Sequence, residues 1–187
     1  MFTVVLIGDS YLTACGINSP DKFKDRIQSM LATDGLKVGI IDPGPNETSA
    51  STDARLNALF TVPQYFPAAT NPVVILEKGS NDCYRSTALQ TRTSLSHILA
   101  TFAEKHIPVL VVGTTPYQGC QSAAEPNCNA EYIRMFADLA AQYCELDYAD
   151  FKQGVSGHPK LLQDDNDHPN ALGEPLVKAL VARTQKP

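Results

Sequence analysis

Nowhere in this chain of 187 residues does an apolar run approach the ~20 residues that a membrane-crossing helix needs, so no stable membrane insertion is expected. Basic residues are also in short supply. The 15 Lys and Arg stand against 20 Asp and Glu and form no cluster, and the net charge of -5 with a pI near 5.3 speaks against a nucleic-acid surface. The partner these absences leave is a small molecule. Met1 runs directly into an apolar segment, with no charged n-region and no h-region, so no signal peptide is visible. A mature exported protein behind a new start codon would read the same way, and a periplasmic or secreted location is expected in preference to the cytoplasm. No internal repeat or low-complexity linker divides the chain. With 43% hydrophobic residues it is long enough for one packed core and too short for two, so residues 1–187 are expected to form a single domain, working as a monomer.

What the sequence does contain begins with Val4-Val5-Leu6-Ile7, an apolar β-type run that stops abruptly at Gly8-Asp9-Ser10. Such a run suits a strand buried on both faces, and ligand chemistry in open parallel sheets sits just beyond the carboxyl ends of these strands. Ser10 falls at that position. A turn follows to about Gly16, and then Ser19-Pro20-Asp21 reads as a helix start, with a helix to about Thr33 on Phe23, Ile27, Met30 and Leu31 and a stop at Gly35. Leu36 to Ile41 reads as a second strand. Two prolines and a glycine in Asp42 to Glu47 block regular structure, and a helix then runs from Thr48 or Ser49 through Leu56 and Leu59.

Val73 to Glu77 is the third expected strand, Ser86 to Lys105 an amphipathic helix on Leu95, Ile98, Leu99 and Phe102, and Ile107 to Val112 the fourth strand. Gly113 to Asn129 reads as a long irregular loop carrying Cys120 and Cys128, where a local disulfide is plausible. A helix from about Ala130 to Tyr143, a short strand near Leu146, an irregular stretch and a last helix after Pro169 complete the chain. Strand and helix alternate throughout. The expected fold is α/β, a three-layer α/β/α domain on a flavodoxin-like parallel sheet of about five strands.

A serine needs a base to become a nucleophile, and the base needs an orienting acid. The far end of the chain offers Asp165-Asn166-Asp167-His168, and between the two ends lies Gly79-Ser80-Asn81-Asp82, again directly after an apolar run. Gly8-Asp9-Ser10, Gly79-x-Asn81-Asp82 and Asp165-x-x-His168 resemble, in order, three blocks of the SGNH (GDSL) hydrolase superfamily, and within it the group of thioesterase I, lysophospholipase and arylesterase. The match spans nearly the whole chain and includes the continuation His168-Pro169-Asn170. A Gly-x-Ser-x-Gly elbow, the mark of an α/β-hydrolase, is absent.

The resemblance implies a serine esterase acting through an acyl-enzyme. Ser10 would be the nucleophile, His168 the base and Asp165 its orienter, with the oxyanion held by the Ser10 and Asn46 backbone N–H groups and the Asn81 side chain. Asp9 and Gly79 would support the site. No metal or organic cofactor is implied. An Asp three residues before a His in a turn can reach the ring Nδ1–H and leave Nε2 to the serine; Asp164 and Asp167 fit the pattern less well as orienters. A further block of the family, whose glycine donates its backbone N–H to the oxyanion hole, departs from the pattern here. Aligning Thr48-Ser49 with the residues after its glycine puts Asn46 in the donor's place, and a shift of two puts Gly44 there. Asn tolerates the left-handed backbone region best among non-glycine residues.

More ordinary roles compete for each residue. His97 and His106 sit in or at the end of the amphipathic helix, where solvent-facing or capping positions are expected, and His158 has no carboxylate three residues before it. Asn81 could simply cap a turn, Asp82 ties loops together, and Cys15 and Cys83 read as buried small hydrophobes. The substrate class implied is a carboxylic ester or thioester with short- to medium-chain acyl or aryl groups. A carbohydrate O-acetylesterase and, from another class, a non-catalytic binding module on the same fold stay open as alternatives.

Overall fold

The opening apolar run becomes β1 (Phe2–Ile7), the strand from which the rest of the sheet grows. The structure is a computed structural model and describes residues 2–10, 12, 22–33, 35, 38–41, 48–66, 71–113, 130–143, 146–150, 158–161, 163 and 170. β1 pairs in parallel with β2 (Val38–Ile41) on one side and with β3 (Asn71–Leu76) on the other. Beyond β3 lie β4 (Val109–Gly113) and β5 (Leu146–Asp150), also parallel, so the order is β2-β1-β3-β4-β5. Winding reverses between β1 and β3, and the crevice at the carboxyl ends of those two strands is where such sheets bind ligands.

Parallel neighbours need crossovers, supplied here by helices α1 (Phe23–Thr33), α2 (Ser49–Thr61), the four-residue α3 (Asp82–Arg85), α4 (Ala88–Glu104) and α5 (Ala130–Gln142). Side-chain alternation along the strands feeds two cores. Val5, Ile7, Val74, Leu76, Val109 and Val111 pack against Leu56 of α2, Leu95 and Phe102 of α4, and Phe136 and Leu139 of α5. Leu6, Ile75, Leu110 and Val112 face the other way, onto Phe23, Ile27 and Leu31 of α1. Helices therefore cover both faces, and the expected three-layer α/β/α architecture with five parallel strands is what the described residues form.

Boundaries moved where local hydrogen bonding outweighed hydrophobic pattern. Gly35 stops α1 as expected, at φ 76°, with its amide on Ala32 O at 3.0 Å. The helix expected from Ser86 to Lys105 is α4, continuous from Ala88 to Glu104, and a separate short helix precedes it. The short α3 ends at Ser86, which is extended (φ -140°, ψ 157°), and α4 begins only after Thr87, whose side chain accepts from Gln90 N while the Gln90 side chain accepts from Thr87 N. Ser and Thr side chains compete for backbone groups and favour such caps over helix interiors. β4 starts at Val109 rather than Ile107 because the Ile107 amide closes the helix, donating to Phe102 O at 3.0 Å, with His106 at φ 53° in the turn. β2 begins at Val38, and β3 takes in Asn71 and Pro72 while Glu77 falls just past its end. Several expected features lie outside the described residues: the turn up to Gly16, the start Ser19-Pro20-Asp21, Asp42 to Glu47, the loop after Gly113 with Cys120 and Cys128, and the helix after Pro169.

Candidate active site

Ser10 occupies the turn just past β1 and is half-buried. Two residues before it, Gly8 leaves no room for a side chain, because a Cβ there would run into the buried Leu12. Asp9, 1% exposed, points inward and joins the end of β1 to the segment following β3. Its amide donates to Glu77 Oε2 at 3.1 Å, while its carboxylate oxygen Oδ2 accepts from Ser80 Oγ and, at 3.2 Å, from Asn81 Nδ2. Glu77 N in turn donates to Ile7 O at 2.9 Å, which carries the β1–β3 ladder one residue past the strand. Ser10 and Asn81 thus leave the same edge of two adjacent strands, with Asp9 bonded across between them.

The bonding fixes the orientation of Asn81. A carboxylate oxygen only accepts, so the group turned to Asp9 must be the amide nitrogen, and the second N–H of that nitrogen is left to point elsewhere. Ser80 Oγ stands 3.2 Å from Glu77 Oε1 as well as against Asp9, and it has only one proton to give. Burial first, and the Asp9 charge second, push the Glu77 carboxyl well above the usual carboxylate range. A carboxyl raised in this way can keep its proton and donate it to Ser80, whose own proton then goes to Asp9.

Lys78 follows, 1% exposed. Burial lowers its ammonium from the usual lysine range, while the carboxyl groups of Asp9, Glu77 and Asp82 act in the opposite direction. Gly79 comes next at φ 121°, a backbone region that side chains rarely adopt, and a Cβ there would stand 2.7 Å from Phe136 Cζ. Its carbonyl accepts from Tyr132 OH at 2.5 Å, so α5 braces the turn that carries Asn81. Asp82, fully buried, performs the tying role expected of it. Its carboxylate accepts from Ser49 N at 2.8 Å, from Ser49 Oγ and from Thr91 Oγ1 at 3.4 Å, which joins the Gly79-x-Asn81-Asp82 block to the first turn of α2 and to α4.

The structure brings Asp9, Gly79 and Asn81 together beside Ser10. Asn46, Gly44, Asp165 and His168 lie outside the described residues, as do Asp164 and Asp167. His97 faces solvent as expected, pairing its Nδ1 with Asp53 Oδ1 at 2.6 Å, and His106 and His158 are exposed. Cys83 requires a correction. It is buried, but it is disulfide-bonded rather than a free thiol in the core; the other four cysteines lie outside the described residues. An odd count of five permits many pairings, and spacing alone does not select among them. Sequence reading also passed over Glu77, Lys78, Ser80 and Ser49. The available signal was two charged residues placed immediately after a fully apolar strand, where burial demands partners.

Comparison with known proteins places this geometry in context. The profile described as GDSL-like Lipase/Acylhydrolase family matches residues 6–175. Esterase TesA of Pseudomonas aeruginosa is 28% identical over 191 aligned positions, covering 99% of this chain and 88% of that protein. A crystal structure of TesA superposes with a TM-score of 0.78 at 25% identity, covering 99% of this chain and 98% of that one. AlinE4, described as an SGNH-hydrolase family esterase, superposes with a TM-score of 0.69 at 28% identity, covering 99% and 97%.

Proposed function

The chain belongs to the GDSL-like lipase/acylhydrolase family and is a hydrolase of the esterase class, and we propose that it cleaves carboxylic esters or thioesters, with short- to medium-chain acyl or aryl groups, through an acyl-enzyme on Ser10. The observation that carries this reading is the Asn81 Nδ2 to Asp9 Oδ2 bond, which anchors a side-chain amide next to the residue preceding Ser10 at the sheet's switch point. In the proposed reaction Ser10 Oγ adds to the acyl carbonyl and its proton passes to His168 Nε2, with Asp165 holding the ring. The oxyanion is met by the Ser10 N–H, the second N–H of Asn81, and a backbone N–H from Asn46 or Gly44. Collapse expels the alcohol or thiol, which takes the proton from His168, and water then repeats the sequence to release the acid. Membership of a hydrolase family sets aside the binding-module alternative.

A fluorophosphonate should label Ser10 alone, as read by peptide mapping; a label on Ser49, Ser80 or Ser156 sinks the assignment. p-Nitrophenyl esters of graded length then define the acyl preference, and activity confined to acetylated sugars would move the reading to a carbohydrate O-acetylesterase. Asn81→Ala should cost about 2.7–4 kcal/mol of transition-state stabilisation, the range for one oxyanion donor.

A further inference from the structure

We propose that Ser80 is a positioning residue for the esterase reaction: its hydroxyl closes a ring of hydrogen bonds through Glu77 and Asp9 that holds the Asp9 carboxylate where it anchors one N–H of Asn81, leaving the other to the substrate oxyanion. The inference rests on the reading of Asn81 as an oxyanion donor.

The ring starts at the Asp9 amide, which lies 3.1 Å from Glu77 Oε2. The other oxygen of that carboxyl, Oε1, lies 3.2 Å from Ser80 Oγ, and Ser80 Oγ is bonded to Asp9 Oδ2, which returns the path to the residue it left. Asn81 Nδ2 meets the same Oδ2 at 3.2 Å. An aspartate held by its amide alone still turns about its side-chain bonds, and each turn carries Oδ2 to a different place. Tying the amide and the carboxylate oxygen to one frame removes that freedom. Glu77 is a suitable frame, because it is fully buried and its own amide donates to Ile7 O at 2.9 Å, continuing the pairing of β1 and β3.

A hydroxyl suits the remaining link because it donates and accepts at the same atom, so it can stand between two carboxyl groups when one of them gives it a proton. The backbone does not require serine: among the described residues only Gly35, Gly79 and His106 have positive φ, and Ser80 itself is half-buried, outside the apolar clusters. The main chain on either side of it is held by other bonds, Gly79 by Tyr132 OH and Asp82 by Ser49 N at 2.8 Å and Thr91 Oγ1 at 3.4 Å. Loss of the Ser80 hydroxyl therefore leaves the turn in place and opens the ring. What it loosens is the aim of the Asp9 carboxylate and, with it, of the Asn81 amide. Ser80 does not touch substrate on this reading; it acts through Asp9 on Asn81.

The test compares kcat and KM for Ser80→Ala, Asn81→Ala and the double variant on one p-nitrophenyl ester, with urea unfolding to follow stability. Ser80→Ala should lower kcat by about 10-fold, short of the ~10²-fold or larger loss of a whole oxyanion donor, while KM stays within about twofold. In the Asn81→Ala background the same substitution should change kcat by less than about twofold, because the group it positions is gone. A serine with a merely structural role would slow both backgrounds alike. A double variant slowed by the product of the two single effects overturns the proposal, as does wild-type kcat in Ser80→Ala. Should that variant fail to fold, Ser80→Gly is carried through the same comparison. Wild-type kcat in Asn81→Ala overturns the oxyanion assignment itself, and the role of Ser80 with it; a crippled Asn81→Ala alongside an unaffected Ser80→Ala removes Ser80 alone.

Discussion

Glu77→Gln tests the buried network through stability rather than activity. The Glu77 carboxyl is fully buried and held well above its usual range, by burial first and by the Asp9 charge second. Between the unfolded value of ~4.3 and that raised value, the folded chain holds a proton that the unfolded chain has released, so stability falls as pH rises, by up to about 1.4 kcal/mol per unit. The contribution is fully present below the unfolded value and is lost as pH rises through the folded one. Gln is a fixed copy of the protonated form: its oxygen can still accept from the Asp9 amide and its NH2 can still donate to Ser80. Near pH 5 the two proteins should agree to within about 1 kcal/mol, the scale of a single hydrogen bond. Above that, the variant should gain on wild type, with a slope of up to about 1.4 kcal/mol per pH unit, until Glu77 ionises in the folded state. The lowered Lys78 ammonium gives an opposite pH trend, but it is present in both proteins and largely cancels in the difference. Urea unfolding followed by circular dichroism at about pH 5, 6, 7 and 8 gives the comparison directly. Curves that stay parallel across that range would show that Glu77 is already ionised when folded, and the direction of donation through Ser80 would have to be reversed.

Gly79→Ala should destabilise by roughly 2–5 kcal/mol, since a Cβ adds backbone strain at φ 121° to an overlap with Phe136, and it should lower kcat as well by displacing Asn81; denaturant unfolding and ester kinetics check both. His106→Gly should stabilise by about 0.5–1 kcal/mol, because relief of the φ 53° conformation exceeds the entropy that glycine gains when unfolded; the urea midpoint should rise at constant slope, with kcat untouched. Cys83 and its partner occupy two of the five cysteines, so at most three thiols should react with a thiol reagent in denatured, unreduced protein and five after reduction; five before reduction would refute the bridge.

The strands, the start of α2 and the place of Ser10 and Asn81 could be read from the sequence, because each depends on signals a few residues long. Val4 to Ile7 and Val73 to Leu76 are apolar enough to be buried on both faces wherever they pair, and a turn block directly after each must then sit at a strand end. Thr48 and Gly35 act on backbone groups within three residues of themselves, so they too could be read locally. What Asp9, Glu77, Ser80 and Asn81 do was settled by contacts between distant parts of the chain. Their bonds join residues 68 to 72 positions apart, and they exist because β1 and β3 pair with Ile7 opposite Leu76. A register shift of one residue would send Asp9 to the other face of the sheet. The bond from Ser49 to Asp82, across 33 residues, also needs distant segments to meet, as does the burial that raises the Glu77 carboxyl and lowers the Lys78 ammonium. Charge state and amide orientation are properties of the surroundings a side chain meets, and those surroundings are assembled only when distant strands align.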